Sequence, residues 1–571
     1  MKKITESLRG QYGRMTIGPL LKLLEAIFEL MTPLVVAGII NVGIALGDTS
    51  YILTRGLWLF GLIVGGMLCA TLGQYFAAEA AARVGRTLRT RILGHVLRLS
   101  HEQACAFGAG RLMQSVTGDV LLIQSGINLL VRLGARVPFL AVGGVVMALF
   151  LNPTIGLVFL GSTVLLGLIL FFIVRRLLGA YGEIQREQDD LASLARENLT
   201  GVRVIRAFNR QGAEEAQFDH QATDLTRLMV RVGKLSSLMN PVSVLLINLA
   251  IFATLYLGAK HVYQDLSNPG EIVALVSYMT MTLLAIAVAV HLAMICARAL
   301  ASAKRVEEVL EMEPGIVDGM GADPKPGAPA LTFEGVSFCY EESTCSALED
   351  VSFVLEAGQT LGVIGSTGSG KSTLAGLILR FMDAETGEIK VSGGDVKTYK
   401  LQELRRQIGY APQRSGLFSG TVAENLRMAC PEATDEDLWA ALTVAQAADF
   451  VEARGAGLDT PIEQGGLNFS GGQRQRLGIA CALVGKPPLV ILDDAFAALD
   501  YLTDKAVRQA LKEWAHDTAV VLISQRVISV QNANQILVLD EGKVVGLGSH
   551  EALLASCRVY QEICRSQDIE G

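Results

Sequence analysis

Six long apolar stretches, all before residue 300, constrain this chain more than any other feature. A bilayer core takes roughly 20 helical residues to cross. Stretches near 17–45, 56–80, 128–151, 154–174, 238–261 and 271–298 each reach that length. In hydrocarbon, every backbone N–H and C=O must be bonded within the protein, so each stretch is expected as a helix. Composition agrees: of 571 residues, 51% are apolar and only 18% charged, too little charge for a soluble enzyme of this length.

The connections give an orientation. Spans three and four are joined by the short, uncharged Leu151-Asn152-Pro153. The segments after spans two and four are long and arginine-rich, with Arg83, Arg86, Arg89, Arg91 and Arg98 in one and Arg175, Arg176, Arg186, Arg196, Arg203, Arg206 and Arg210 in the other. Positive charge stays inside, so both long loops and both termini are expected in the cytosol. Their apolar periodicity predicts helical extensions into the cytosol. Residues 1–16 are polar and basic, which predicts no cleavable signal but an amphipathic segment on the inner membrane face.

Polar groups inside the spans are few. Glu25 and Glu29, four apart, share a helix face. They read either as an acidic lining of a substrate path or as groups bonded between helices or set at headgroup depth. His291 reads as packed or interfacial. None of the three names a substrate.

Residues 313–330 are rich in proline and glycine and mark a linker between a membrane domain, 1–312, and a second domain, 331–571. The nine cysteines form no CxxC pair and no Cys/His cluster, which excludes a disulfide framework and a zinc site. The net charge of −7 is spread along the chain and implies no nucleic-acid partner. In the second domain short β-rich runs alternate with helical stretches, as in an α/β domain with a largely parallel sheet. One strand-like run, TLGVI, leads into Gly365-Ser366-Thr367-Gly368-Ser369-Gly370-Lys371-Ser372-Thr373 and then a helical stretch. That is a phosphate-binding loop in its required context. Glycines let backbone N–H groups close around phosphate oxygens, Lys371 reaches the terminal phosphates, and Ser372 offers a hydroxyl to Mg²⁺. A second apolar strand, 488–492, delivers Asp493, a carboxylate placed to hold the same ion.

Between them lies Asn468-Phe469-Ser470-Gly471-Gly472-Gln473-Arg474-Gln475-Arg476-Leu477, which resembles the signature segment of ATP-binding cassette (ABC) transporters. Further marks stand around it: Tyr340 where the family stacks an aromatic on adenine, Gln413 in YAPQ as the glutamine loop, which also reaches Mg²⁺, and Asp500 in AALD as the D-loop. Stretches 107–120 and 197–211 resemble the cytosolic coupling loops of exporter-type half-transporters. The resemblance implies an all-α six-helix transmembrane domain followed by an α/β P-loop NTPase domain, with ATP and Mg as cofactors. It also implies head-to-tail pairing, in which Ser470 to Gln473 closes over ATP held by a second half-transporter.

Two positions depart from the family's pattern. Active members carry glutamate after the Mg²⁺ aspartate, and here Asp494 stands; they carry histidine after the last core strand, and here Gln525 stands. A milder change is Gln464 where exporters usually have glutamate. One reading is a homodimer, exporting lipid or peptide, that still cleaves ATP slowly. The other is a heterodimer whose degenerate site is built by this chain and whose competent site is completed by this chain's signature. That pattern resembles bacterial heterodimeric multidrug exporters acting on amphipathic small molecules at the inner (plasma) membrane. An ATP-gated channel or regulatory subunit is a third alternative. No protease domain is expected ahead of the first span, and only a short tail is expected after the last core element.

Overall fold

A computed structural model describes residues 3, 6, 10, 12–264, 266–340, 346–414 and 416–567. Half of the segment 1–16, Cys345 and residues 568–571 lie outside the described residues. The chain divides into two compact units, Met1–Arg98 with Phe107–Glu313, and Leu99–Ala106 with Pro314–Gly571.

The first unit is helical, and six helical stretches among the described residues are long and apolar enough to cross a membrane. Helix α1 (Tyr12–Gly38) continues as a π-helical turn, Ile39–Ile44. Helix α2 (Thr49–Val96) starts at Asp48, whose carboxylate accepts the Tyr51 N–H. The third stretch is broken in two, α3 (Val120–Leu133) and α4 (Arg136–Leu151). Then follow α5 (Pro153–Thr200), α6 (Gln211–Ser237), α7 (Met239–Tyr263) and α8 (Pro269–Glu311). The long arginine-rich segments are thus mostly extensions of helices that also cross the membrane.

Caps set the turns. Asn152 accepts from the N–H groups of Thr154 and Ile155 with Pro153 in the first turn, where its missing N–H costs nothing. Asn268 and Glu271 form a reciprocal capping box at the start of α8, again with proline behind the cap. The Asn152 amide also donates to Ser267 Oγ at 2.8 Å, tying the two turns together. Within the bundle Leu30, Leu140, Phe159 and Leu275 pack around Tyr278, whose hydroxyl donates to the Leu30 carbonyl at 2.7 Å. Trp58, Phe60, Phe150 and Phe172 point outward, as lipid-facing side chains do. Asp119, buried on a π-helical turn before α3, accepts from Arg305 Nε of α8 at 3.2 Å.

Glu25 and Glu29 are not a purely acidic face. Lys22 Nζ lies 2.7 Å from Glu25, and Arg136 bridges Glu29 at 2.7 Å and Glu25 at 3.4 Å. Two carboxylates and two cations therefore form one neutral cluster between α1 and α4. An acid alone in a low-dielectric span is costly, and these are paired.

Among the described residues the second unit holds three sheets, the smallest a two-stranded pairing of Gly420–Thr421 with Pro461–Ile462. The four-stranded sheet has the order β2-β1-β4-β5, from β1 (Leu331–Cys339), β2 (Ser346–Leu355), β4 (Thr386–Val391) and β5 (Gly394–Asp395). The six-stranded sheet contains β3 (Thr360–Gly365), β6 (Ile408–Ala411), β7 (Leu489–Asp493), β8 (Ala519–Ile523), β9 (Gln535–Asp540) and β10 (Lys543–Gly548). Its order is β10-β9-β3-β8-β7-β6, parallel except for the edge strand β10. Strands β7 and β8 are buried at every position, as expected for a sheet covered on both faces. This unit also includes Leu99–Ala106, whose His101 ring lies 6.5 Å from that of Phe381. The ends of β3, β7 and β8 carry the residues of interest.

Candidate nucleotide site

Strand β3 ends at Gly365, and the loop runs to α9 (Lys371–Ile378). A Cβ at Gly365 would lie 2.2 Å from the Leu539 carbonyl oxygen and 2.5 Å from Ser369 Oγ. Gly368 and Gly370 adopt φ of +85° and +100°, a region other residues rarely enter. The loop wraps its own cation: Lys371 Nζ donates to the carbonyls of Gly365 (2.9 Å) and Ser366 (2.6 Å) and lies 3.3 Å from Ser369 Oγ. Burial pushes the Lys371 pKa down, with Asp494 and Asp493 opposing. A half-desolvated ammonium that holds only its own loop is a donor a phosphate can take over, so the residues fit a nucleoside polyphosphate.

Asp493 ends β7, 5% exposed. Burial pushes its carboxyl pKa up, the Ser372 hydroxyl bonded to it pulls down, and the neighbouring Asp494 charge adds to the rise. Tyr410, also buried and beside Asp493, is pushed up to about 12. A buried carboxylate held by a serine hydroxyl, beside a second carboxylate, is a donor set suited to a hard divalent cation. Ser372 and Asp493 could hold Mg²⁺ directly.

Asp494 has φ +48°, and its N–H donates to the Ile523 carbonyl at 2.9 Å. Gln413 Nε2 reaches its Oδ2 at 3.4 Å. Tyr340 Oη lies 3.1 Å from Thr373 Oγ1, and its ring meets Phe338 edge-on. Thus Tyr340, the phosphate loop, Gln413, Asp493 and Asp494 are linked. Gln525 is exposed just past β8, and its carbonyl accepts from Gln567 Nε2 at 2.7 Å.

The signature stands apart. Among the described residues no hydrogen bond or ion pair joins Ser470–Gln473 to the phosphate loop. Ser470 caps α10 (Gly471–Leu483) in a reciprocal box: its Oγ accepts from Gln473 N–H (3.3 Å), and Gln473 Oε1 accepts from Ser470 N–H (3.1 Å). Gln475 Oε1 accepts from the Ala498 N–H at 2.8 Å, fastening α10 to the segment that leads to Asp500. Asp500 in turn caps α11 (Tyr501–Trp514), accepting from Thr503 N–H at 3.0 Å. Those bonds to Thr503 hold its carboxyl below the usual range. Sequence reasoning quoted Gln475 within the signature segment but gave it no role, and passed over Gln567, because an isolated glutamine carries no motif. It also passed over Lys22 and Arg136, although charges inside apolar stretches 17–45 and 128–151 could have flagged them.

Comparison with known proteins follows the same division. The family model for the ABC transporter transmembrane region matches residues 15–286, and that for the ABC transporter matches 348–497. The chain is 36% identical over 559 residues to an uncharacterised ABC transporter ATP-binding protein of Mycobacterium tuberculosis, covering 97% of this chain and 95% of the relative. It is 30% identical over 531 residues to an ATP-dependent lipid A-core flippase of Haemophilus influenzae, covering 91% and 89%. A bacterial Atm1-family ABC exporter with ATP bound shares the fold, with a TM-score of 0.82 over 98% of this chain and 99% of that one, at 24% identity. With membrane-crossing helices ahead of a phosphate-loop ATPase unit, and relatives alike over nearly its whole length, this chain belongs to the ABC transporter family as an ATP-driven, exporter-type half-transporter.

Proposed function

We propose that this chain is one half of a heterodimeric exporter of amphipathic small molecules, multidrug in range, in the inner (plasma) membrane with both termini cytosolic. In this reading residues 1–312 form the membrane domain and 331–571 the ATPase domain. The observation that carries it is a contrast within one domain. The signature Ser470–Gln473 is capped and fastened, while the two positions that complete hydrolysis carry Asp494 and Gln525.

Bound MgATP supplies the phosphoryl group and the metal charge that offsets it. Tyr340 stacks on the base. The N–H groups of Gly365 to Thr373 and Lys371 Nζ hold the phosphates, with Ser372, Gln413 and Asp493 on the metal side. Asp494 stands where a carboxylate would take a proton from an attacking water, one methylene shorter than the family's glutamate. Misplacing a base by about 1 Å costs roughly 10²-fold. Gln525 can donate a hydrogen bond to a phosphate oxygen but cannot share a positive charge. This site therefore binds and closes but turns over slowly. Ser470, Gly471, Gly472, Gln473 and Asp500 complete the partner's site, where turnover resets the pump.

The test is to purify the chain alone and with the half-transporter encoded beside it, then measure nucleotide binding and steady-state ATPase. Binding with negligible turnover alone, and brisk turnover of the pair, supports the reading. A stable homodimer with robust, substrate-stimulated turnover sinks it. That second outcome is a homodimeric lipid exporter, which the 30% identity to a lipid A-core flippase favours.

A further inference from the structure

We propose that Lys22, Glu25, Glu29 and Arg136 form a headgroup site for a zwitterionic amphiphile, a molecule carrying one anionic and one cationic group on an apolar tail. The inference rests on the exporter reading and names its substrate class.

The cluster has a closed end and an open end. The Lys22 and Glu25 side chains are 7% and 15% exposed, whereas Arg136 and Glu29 are 22% and 35% exposed. The accessible pair is thus one cation and one anion, 2.7 Å apart. Ionisable groups within spans mark binding paths when they face an accessible cavity.

Both supporting helices carry a local irregularity near this level. Pro33 lies inside α1 and has no N–H, so the Glu29 carbonyl lacks its helical donor. Arg136 is the first residue of α4, directly after the break that ends α3 at Leu133. Its Nε is buried and lies 3.4 Å from Glu25 Oε1, an ion pair that falls short of hydrogen-bond geometry. Phe28, next to Glu29, lines a cleft of about 500 Å³ with Leu57, Trp58 and Leu62. An apolar groove of this kind on the outward side of α1 and α2 suits an alkyl tail.

Charge balance selects the ligand. Two cations and two carboxylates cancel, so the resting site is neutral. A lone anion taking Arg136 would strand Glu29, and a lone cation taking Glu29 would strand Arg136. Either leaves an unpaired charge in a poorly solvated span. A zwitterion takes both at once, anion to Arg136 and cation to Glu29, and no charge is stranded.

The test uses three amphiphiles with the same dodecyl tail: dodecylphosphocholine, dodecyl phosphate and dodecyltrimethylammonium. Binding to the full chain in neutral nanodiscs, without ATP or partner, is read from Trp58 emission in a W439F/W514F background. The zwitterion should bind about tenfold more tightly than either ion. E29Q makes the cluster net positive and should move the preference to dodecyl phosphate; R136Q should move it to dodecyltrimethylammonium. The neutral double variant E29Q/R136Q strands no charge and should lose the preference altogether, which keeps the test decisive if a single variant misfolds. Equal binding of all three heads by the wild type, the same loss for all three in each single variant, or a double variant that keeps the zwitterion preference overturns the proposal. If binding follows charge but no ATP-driven transport is found with the partner, the export reading fails and the site stands.

Discussion

Gln413 Nε2 donates to Asp494 Oδ2 across 3.4 Å, so the glutamine loop meets the shortened carboxylate directly. Asp494 is pinned from behind as well, by its N–H on Ile523 of β8. The backbone cannot advance the carboxylate by the missing methylene, so only a longer side chain can.

Restoring length and charge should restore turnover. D494E/Q525H is expected to raise turnover at this chain's own site by about 10²-fold, with ATP affinity unchanged, when measured in the pair with the partner's own site inactivated. Steady-state phosphate release checks this; a double variant as slow as the wild type shows that these positions do not limit hydrolysis.

Asp493 makes metal-free stability depend on pH. Its folded pKa is raised above the ordinary 3.8 by burial first, with Asp494 adding. Between those two values the folded state binds more protons than the unfolded state, so this group's contribution to stability falls as pH rises through the window. D493N does not titrate. In EDTA its Tm advantage over the wild type should therefore grow from pH 4 upward and level off above the elevated pKa, while MgATP binding is lost. A pH-independent difference would contradict the burial argument.

Ser470 serves its own helix and, in the heterodimer reading, the partner's ATP. S470A loses an N-cap, costing about 1 kcal/mol, visible as a small drop in Tm of the chain alone. ATP binding by this chain should be unchanged, whereas turnover of the pair should fall by at least tenfold, about 1.4 kcal/mol of barrier. If turnover of the pair survives, the signature is not completing the partner's site.

Gly365 tolerates nothing larger. G365A places a Cβ against the Leu539 carbonyl, a rigid backbone atom, and should destabilise the ATPase unit by about 1–3 kcal/mol or more. Thermal unfolding reads the effect. An unshifted transition would mean that β3 and β9 separate easily.

Much of the site was legible because its chemistry is local. A strand, a glycine loop with Lys371 and a helix are contiguous, and Ser470 with Gln473 is a capping box within four residues. The six spans were legible for the same reason, since each satisfies its own backbone. What could not be read were pairings between distant segments. Glu25 and Glu29 suggested an acidic face; Arg136, more than a hundred residues on, makes it neutral. Likewise the grip of Gln475 on Ala498 and of Gln567 on Gln525 joins segments that no spacing relates.

The sequence by itself determined that this chain crosses a membrane repeatedly and carries one phosphate loop, because hydropathy and loop chemistry are properties of short runs. Only the tertiary structure decided which charges neutralise one another in the spans, where the third span breaks, and that Asp494 meets Gln413. Those depend on which helices and strand ends come within a few ångströms, and packing, not spacing along the chain, sets that.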